Sequence, residues 1–286
     1  MSCFALPISL CAQMQSIIAK FWWSGSDDKR KIAWVSWKKI CKAKKEGGLG
    51  FRNLRAFNLA MLAKQAWRFI QSPQSLCARV FKAKYFPHVS FLQACSRPGS
   101  SYAWNSIMEG KKIIDSGIAW RVGDGKSIDA RKESWISTAK YMKPLGQINV
   151  PADCKASDFI DASSATWDRD KLAATFSPQE VGNILRLPLS RRLPPDKLFW
   201  PLNKHGFNTV KSGYYRACEI INKDEASPST VDDQNGLWKL LWRCPILPKI
   251  RHFLWRICHG TLPCNDNLMK RSVPVMNVCP RCGDMQ

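Results

Sequence analysis

The sequence predicts an α+β fold that is mostly helical, with two small β-hairpins. Three observations lead there. Apolar types make up 45% of the 286 residues, enough to fill a core. Several long segments carry apolar residues at helical spacing and stop at Gly or Pro. Two short segments change to period two around polar turns.

The first helix is expected over residues 8–23, where Leu10, Met14, Ile17, Ile18 and Phe21 recur every three or four positions and Gly25 follows. Leu54, Phe57, Met61, Leu62, Ala66 and Phe69 mark a second, ending before Pro73. Residues 76–86 form a third, stopped by Pro87, and residues 104–114 a fourth. Ile118, Trp120 and Val122 then alternate, Gly123-Asp124-Gly125 turns the chain, and Ile128 resumes; this is the first hairpin. The second runs through 198–200, a turn over 203–206, and 207–210. Helices over 211–221 and 237–242 follow. Pro248 opens the last helix at its first turn and Gly260 ends it.

At about 150 residues per domain, the length suggests about two domains. Local composition divides the chain more finely. Residues 1–90 are a basic helical region and 91–221 a middle α+β segment. Residues 222–235 read as a linker with Asp, Glu, Ser, Pro and Thr clustered, and 236–286 as a C-terminal unit. Pro144, Gly146 and Pro151 make residues 143–154 a second soft joint.

Charge is the strongest functional signal. The 44 Lys and Arg exceed the 22 Asp and Glu, so the net charge is +22. The excess is +17 over residues 1–150, −1 over 151–235 and +6 over 236–286. That balance excludes a basic partner and favours a polyanion, nucleic acid before an anionic membrane surface. Residues 29–55 hold ten basic side chains against Glu46 alone, with Trp34, Trp37 and Phe51 interleaved. Lys38, Lys39, Lys42, Lys44 and Lys45 are the expected phosphate-neutralising charges. Such a run also fits a merely solvated face.

No apolar run reaches the roughly 18 residues of a membrane span. The apolar stretch 3–12 has no basic residue before it and contains Pro7, so it does not read as a secretion signal. The expected location is intracellular, nuclear or cytoplasmic, with no membrane partner. The 12 Cys are scattered through a long chain and read as reduced thiols rather than a disulfide framework.

Enzymatic signatures fail. Gly125-Lys126-Ser127 has Trp120 where a phosphate loop needs Gly. Gly47-Gly48-Leu49-Gly50 lacks dinucleotide-site spacing, and there is no nucleophile elbow or His-Glu-x-x-His. The acid pairs Asp27-Asp28 and Asp232-Asp233 sit in polar, turn-like surroundings and read as surface.

Two segments carry candidate binding chemistry. In the helix from Pro248, the period puts Ile250, Phe253, Leu254 and Ile257 toward a core and Arg251, His252, Trp255, Arg256 and His259 on the opposite side. Guanidinium groups pair phosphates and an indole face stacks a base, so Arg251, His252, Trp255 and Arg256 are candidate nucleic-acid contacts. The competing reading packs Trp255 against Trp238 or Trp242. Cys279-Pro280-Arg281-Cys282-Gly283 has the spacing of half a tetrahedral Zn²⁺ site, with Cys279 and Cys282 as ligands. A structural site needs four; Cys258, His259 and Cys264 are fold-back candidates, and a missing second half-site is the alternative.

Motifs in order along nearly the whole chain resemble one family. Leu237-Trp238-Lys239, Trp242, the run from Pro248 to Arg256, His259-Gly260, Leu262-Pro263 and Cys279-Pro280-Arg281-Cys282-Gly283 resemble the zinc-binding domain that follows reverse transcriptase in plant LINE-type (non-LTR) retroelements. Phe21-Trp22-Trp23, Trp34, Trp37, Gly47-Gly48-Leu49-Gly50-Phe51-Arg52, Phe57-Asn58 and Trp67-Arg68 resemble the region just after that polymerase core. Trp120-Arg121-Val122-Gly123-Asp124-Gly125-Lys126 and Val210-Lys211-Ser212-Gly213-Tyr214 resemble its middle segment. The resemblance implies a truncated zinc-binding domain, with Zn²⁺ as a possible cofactor of an incomplete site. The Tyr-Ala-Asp-Asp type polymerase motif and the RNase H domain lie outside the chain, so no enzymatic activity is expected.

The expected function is non-catalytic binding of RNA or DNA, mostly through the backbone, alongside other parts of the retroelement polyprotein. The alternative is an inert or protein-interacting remnant. An enzyme is the third reading.

Overall fold

Helices form where the apolar period is longest. A computed structural model describes residues 1–24, 31–136, 153–224 and 235–276. In chain order the elements are α1 (Ile8–Ser24), α2 (Trp37–Cys41), α3 (Leu54–Gln71), α4 (Leu76–Tyr85), α5 (Tyr102–Asp115), β1 (Ala119–Arg121), β2 (Ile160–Asp161) and β3 (Thr166–Trp167). They continue as α6 (Arg169–Thr175), α7 (Pro178–Leu185), β4 (Lys197–Phe199), α8 (Val210–Asp224), α9 (Asn235–Arg243), α10 (Pro248–Cys258) and α11 (Asn265–Met269). The architecture is α+β, mostly helical, with two two-stranded antiparallel sheets among the described residues. No helix among the described residues is long and apolar enough to cross a membrane.

Every helix expected from periodicity is present within three residues of its expected ends. The short helices α2, α6, α7 and α11 were not anticipated, although α7 has a readable start. Ser177 Oγ accepts from Glu180 N and the Glu180 carboxylate accepts from Ser177 N, with Pro178 in the first turn.

The strands pair differently from expectation. Neither predicted hairpin forms. Instead β1 pairs with β4, with Ala119 opposite Phe199 and Arg121 opposite Lys197. The cause lies in the turn after β1. The amides of Gly123, Gly125 and Ser127 all donate to the Asp196 carboxylate, at 2.8, 2.9 and 2.8 Å. That carboxylate immediately precedes β4 and brings the strand to β1. A Cβ at Gly123 would meet the Pro194 carbonyl oxygen at 1.9 Å, so the close approach requires glycine.

After β4, Trp200 N closes a turn onto Gly206 O at 2.8 Å, but the chain then enters α8 instead of a return strand. The second sheet is the short hairpin β2–β3. Its turn is held by Asp161, which accepts from Ser163 N, Ser163 Oγ and Ser164 Oγ at 2.9, 2.7 and 2.6 Å. The Ser164 and Ser163 hydrogen bonds hold the Asp161 carboxyl down at about 2.

The chain forms two compact units, each assembled from separate stretches of sequence. The first comprises Met1–Ala5 and Phe57–Ile220, the second Leu6–Ala56 and Ile221–Gln286. Residues 6–56, which sequence order places with 57–90, thus pack with the C-terminal segment.

In the first unit, Gly110 of α5 lies against the α3 backbone at Leu62. Phe69, Phe81, Phe86, Phe91 and Trp104 make a connected aromatic cluster. A second core gathers Trp135, Trp167, Phe159, Phe176, Leu172 and Ile184. Its indoles are satisfied: Trp135 Nε1 donates to Ala130 O and Trp167 Nε1 to Leu187 O. Trp200, fully buried, donates to Ser212 Oγ at 3.0 Å.

Replacing Asp196 with Ala removes the acceptor for three backbone amides. The first unit should lose about 2 kcal/mol, read as a lower midpoint in urea denaturation.

Candidate nucleic-acid interface

The second unit contains most of the expected site residues, and its core is built on one glycine. The chain between α2 and α3 folds back on α2: Leu49 N donates to Ile40 O and Gly50 N to Lys42 O, both at 3.0 Å. A single 3₁₀ turn over Lys44–Glu46 leads into Gly47, whose φ is +82°. A Cβ there would lie 2.8 Å from the Trp238 ring, so both the backbone and the packing require glycine. The Gly47 carbonyl accepts from Trp255 Nε1 at 2.8 Å and from His259 Nε2 at 2.8 Å. Because a carbonyl can only accept, His259 carries its proton on Nε2. Its ring stacks on Trp238, centroids 4.8 Å apart, and meets Trp255 edge-on at 4.7 Å. Val35, Ile40, Trp238, Leu241 and Trp255 are the buried centre of this core.

This core reverses the expected facing of α10. Trp255 is 2% exposed and its indole N–H is committed to Gly47, so it cannot serve as a stacking platform. Ile250, Phe253 and Ile257, expected inside, are 47%, 52% and 43% exposed. Leu254 alone of that set packs against the core. Arg251 also leaves the set of available contacts: its Nη2 donates to Cys244 O at 2.8 Å and Ile246 O at 3.2 Å, tying off the end of α9. The packing alternative for Trp255, with Trp238 as neighbour, is the one adopted.

His252 and Arg256 do remain at the surface. With Trp22, Trp23, Leu49 and one side of Trp255 they line a niche of about 140 Å³. The Arg256 guanidinium lies 5.7 Å from the Trp23 ring centre. Beside the niche is a larger cleft of about 610 Å³, lined by Lys44, Lys45, Glu46, Trp238, Lys239, Trp242 and Arg243. Lys44 Nζ sits 4.9 Å from the Trp242 ring centre. The one carboxylate among the described residues of the cleft, Glu46, is an exposed partner of Lys45 at 3.7 Å. Such a pair contributes little and leaves the cleft strongly cationic.

Of the five predicted lysines, Lys44 and Lys45 line this cleft. Lys38, Lys39 and Lys42 are exposed on or just after α2. Lys39 and Lys42 lie close enough to His259 to lower its pKa. Lys239, Arg243 and Trp242 were not singled out as contacts from sequence. The signal is present: Lys239 and Arg243 are four apart on α9, next to two Trp.

The metal candidates Cys279 and Cys282 lie outside the described residues, as do Asp27, Asp28, Asp232 and Asp233. Among the described residues, no group of three or more His, Cys, Asp or Glu could hold a metal ion. His259 does not fit as a ligand through Nε2, which donates to Gly47. Cys258 and Cys264 are exposed free thiols. The described residues therefore do not assemble a zinc site, and no step below runs through a metal ion.

Partial burial, then the Arg256, Lys44 and Arg251 cations, push His252 below the ordinary imidazole pKa. Burial does the same to His259, assisted by Lys39 and Lys42 and opposed by its bond to Gly47. The unfolded chain therefore binds more protons below the ordinary value of about 6.5. Stability from these groups is complete above that pH and is lost as pH falls. The denaturation midpoint of the second unit should drop between pH 7 and pH 5, and a His259→Gln variant should show a smaller drop. Gly47→Ala should destabilise this unit by about 1–3 kcal/mol through backbone strain, before any cost of moving Trp238. Thermal unfolding followed by Trp fluorescence reads this effect.

Comparison with known proteins agrees with the motif order. The zinc-binding domain of reverse transcriptase matches residues 210–286. An uncharacterized mitochondrial protein of Arabidopsis thaliana is 42% identical over 146 residues, 51% of this chain and 95% of that protein. A putative ribonuclease H protein of the same plant is 29% identical over 298 residues, 99% of this chain. The chain spans 45% of that relative's length. No solved structure matches. The chain belongs to the plant retroelement family whose proteins carry the reverse transcriptase zinc-binding domain.

Proposed function

We propose that the second unit binds RNA or DNA, mainly through the phosphate backbone, and does no chemistry on it. The observation that carries this is the cleft in which Lys44, Lys45, Lys239 and Arg243 converge beside the Trp242 face, with Glu46 the one acid among them. Four cations held by α9 and the Lys44–Glu46 turn form a preset electrostatic site for a polyanion. Lys38, Lys39 and Lys42 extend the positive field, and His252 and Arg256 provide further polar contacts at the neighbouring niche. The overall charge of +22 steers association at low salt. In a longer polyprotein, this unit would hold template or target strands near catalytic domains elsewhere in that chain. Any zinc in the C-terminal segment would be structural, through Cys279 and Cys282 together with ligands supplied elsewhere.

A second reading is a protein-interacting fragment. The outward stripe Ile250, Phe253 and Ile257 on α10 favours it. Light scattering separates this reading through self-association: a monodisperse monomer speaks against it.

Fluorescence anisotropy with a labelled single strand across a salt series tests the first reading. Each phosphate contact contributes a slope of about −0.7 in log affinity against log salt. Lys239→Ala with Arg243→Ala should flatten the slope by about 1.4 and weaken RNA and DNA alike. An unchanged slope, with far-UV circular dichroism preserved, would remove the cleft from the binding surface.

A further inference from the structure

The niche beside the cationic cleft has aromatic walls that backbone binding does not use. It is lined by Trp22, Trp23, Leu49, His252, Trp255 and Arg256. Its volume of about 140 Å³ is close to the roughly 150 Å³ that accommodates a benzene ring in a protein cavity. Trp22 is 41% exposed although it belongs to an aromatic group, meeting Phe51 edge-on at 4.9 Å. The polar wall consists of an imidazole and a guanidinium. His252 offers a ring nitrogen, and Arg256 offers donors with its plane near Trp23. Aromatic faces beside a small number of convergent polar groups suit a flat heterocycle with hydrogen-bonding edges.

One ring's contacts link the walls of the niche and the cleft. His252 lies between Trp242 of the cleft wall, at 6.3 Å, and Trp22 of the niche wall, at 6.4 Å between ring centres. In the backbone-binding reading, a strand whose phosphates follow Lys44, Lys45, Lys239 and Arg243 would reach the niche past His252.

Resting on the backbone-binding reading above, we propose that the niche takes the base of one unpaired pyrimidine nucleotide. The base stacks on the Trp22 and Trp23 side, and its hydrogen-bonding edge meets His252 and Arg256. A single six-membered ring fills about that volume, whereas the fused rings of a purine would extend out of it. A paired base hides that edge and its faces within the duplex, so the unit selects single strands.

The test uses the full chain and labelled 12-mers of equal charge: oligo(U), oligo(dT), oligo(dA) and a fully abasic strand. Oligo(U) or oligo(dT) is expected to bind at least about fivefold tighter than the abasic strand, a stacking-sized effect. Comparing oligo(U) with oligo(dT) shows whether the pyrimidine is taken from RNA or DNA. Trp22→Ala should abolish the pyrimidine advantage while leaving affinity for the abasic strand unchanged, and that unchanged affinity reports an intact cleft. Arg256→Gln should reduce the advantage in the same direction. Equal binding of abasic and pyrimidine strands overturns the niche assignment and leaves backbone binding standing. Equal binding of oligo(dA) and oligo(dT) overturns the pyrimidine selection. No binding by any strand overturns the backbone reading, and the niche proposal falls with it.

Discussion

The carbonyl of Gly47 organises the second unit. Two donors from α10 and its cap, Trp255 Nε1 and His259 Nε2, converge on that one oxygen from more than 200 positions later in the chain. The left-handed backbone turns the carbonyl toward them, and the missing side chain lets Trp238 lie against the same residue. A buried indole N–H without a partner would cost about 1–3 kcal/mol, so this bond selects which face of α10 turns inward. The Lys44–Glu46 turn immediately precedes Gly47, so the same constraint positions the lysines of the cleft.

With Trp255 inside, the other α10 side chains take roles that follow from their places around the helix. Arg251 reaches back to the last carbonyls before the α9–α10 turn. His252 and Arg256 stay on the surface next to Trp22 and Trp23. The aliphatic side of the helix becomes the outer side. The indole gives the larger buried area and a satisfied donor, while Phe253 and the isoleucines leave no polar group stranded when exposed.

The electrostatics follow the same geometry. Cations from α9 and from the turn before Gly47 are gathered around aromatic rings, with one weakly paired carboxylate among them. Among the described residues lining the cleft, cations outnumber that carboxylate four to one. Burial first, with the field of nearby cations adding to it, lowers the pKa of His252 and of His259.

The sequence by itself determined the long helices, the α+β class, the net positive charge and the family, because these depend on local period, helix stops, composition and motif order. Leu54 to Phe69 and Pro248 to Gly260 are examples in which nearest neighbours along the chain suffice. Tertiary structure alone decided the rest. β1 pairs with β4 because Asp196 captures three amides more than 65 residues away, and hairpin patterns contain no trace of that carboxylate. Lys44 and Lys45 were legible as candidates from the sequence, but Lys239, Arg243 and Trp22 became candidates once the unit brought 6–56 and 221–286 together. The face of α10 was misread because a helical period reports two opposite faces and does not say which one has a buried acceptor waiting. That information resides in the positive φ of a glycine 208 positions upstream of Trp255, and chain folding alone brings the two together.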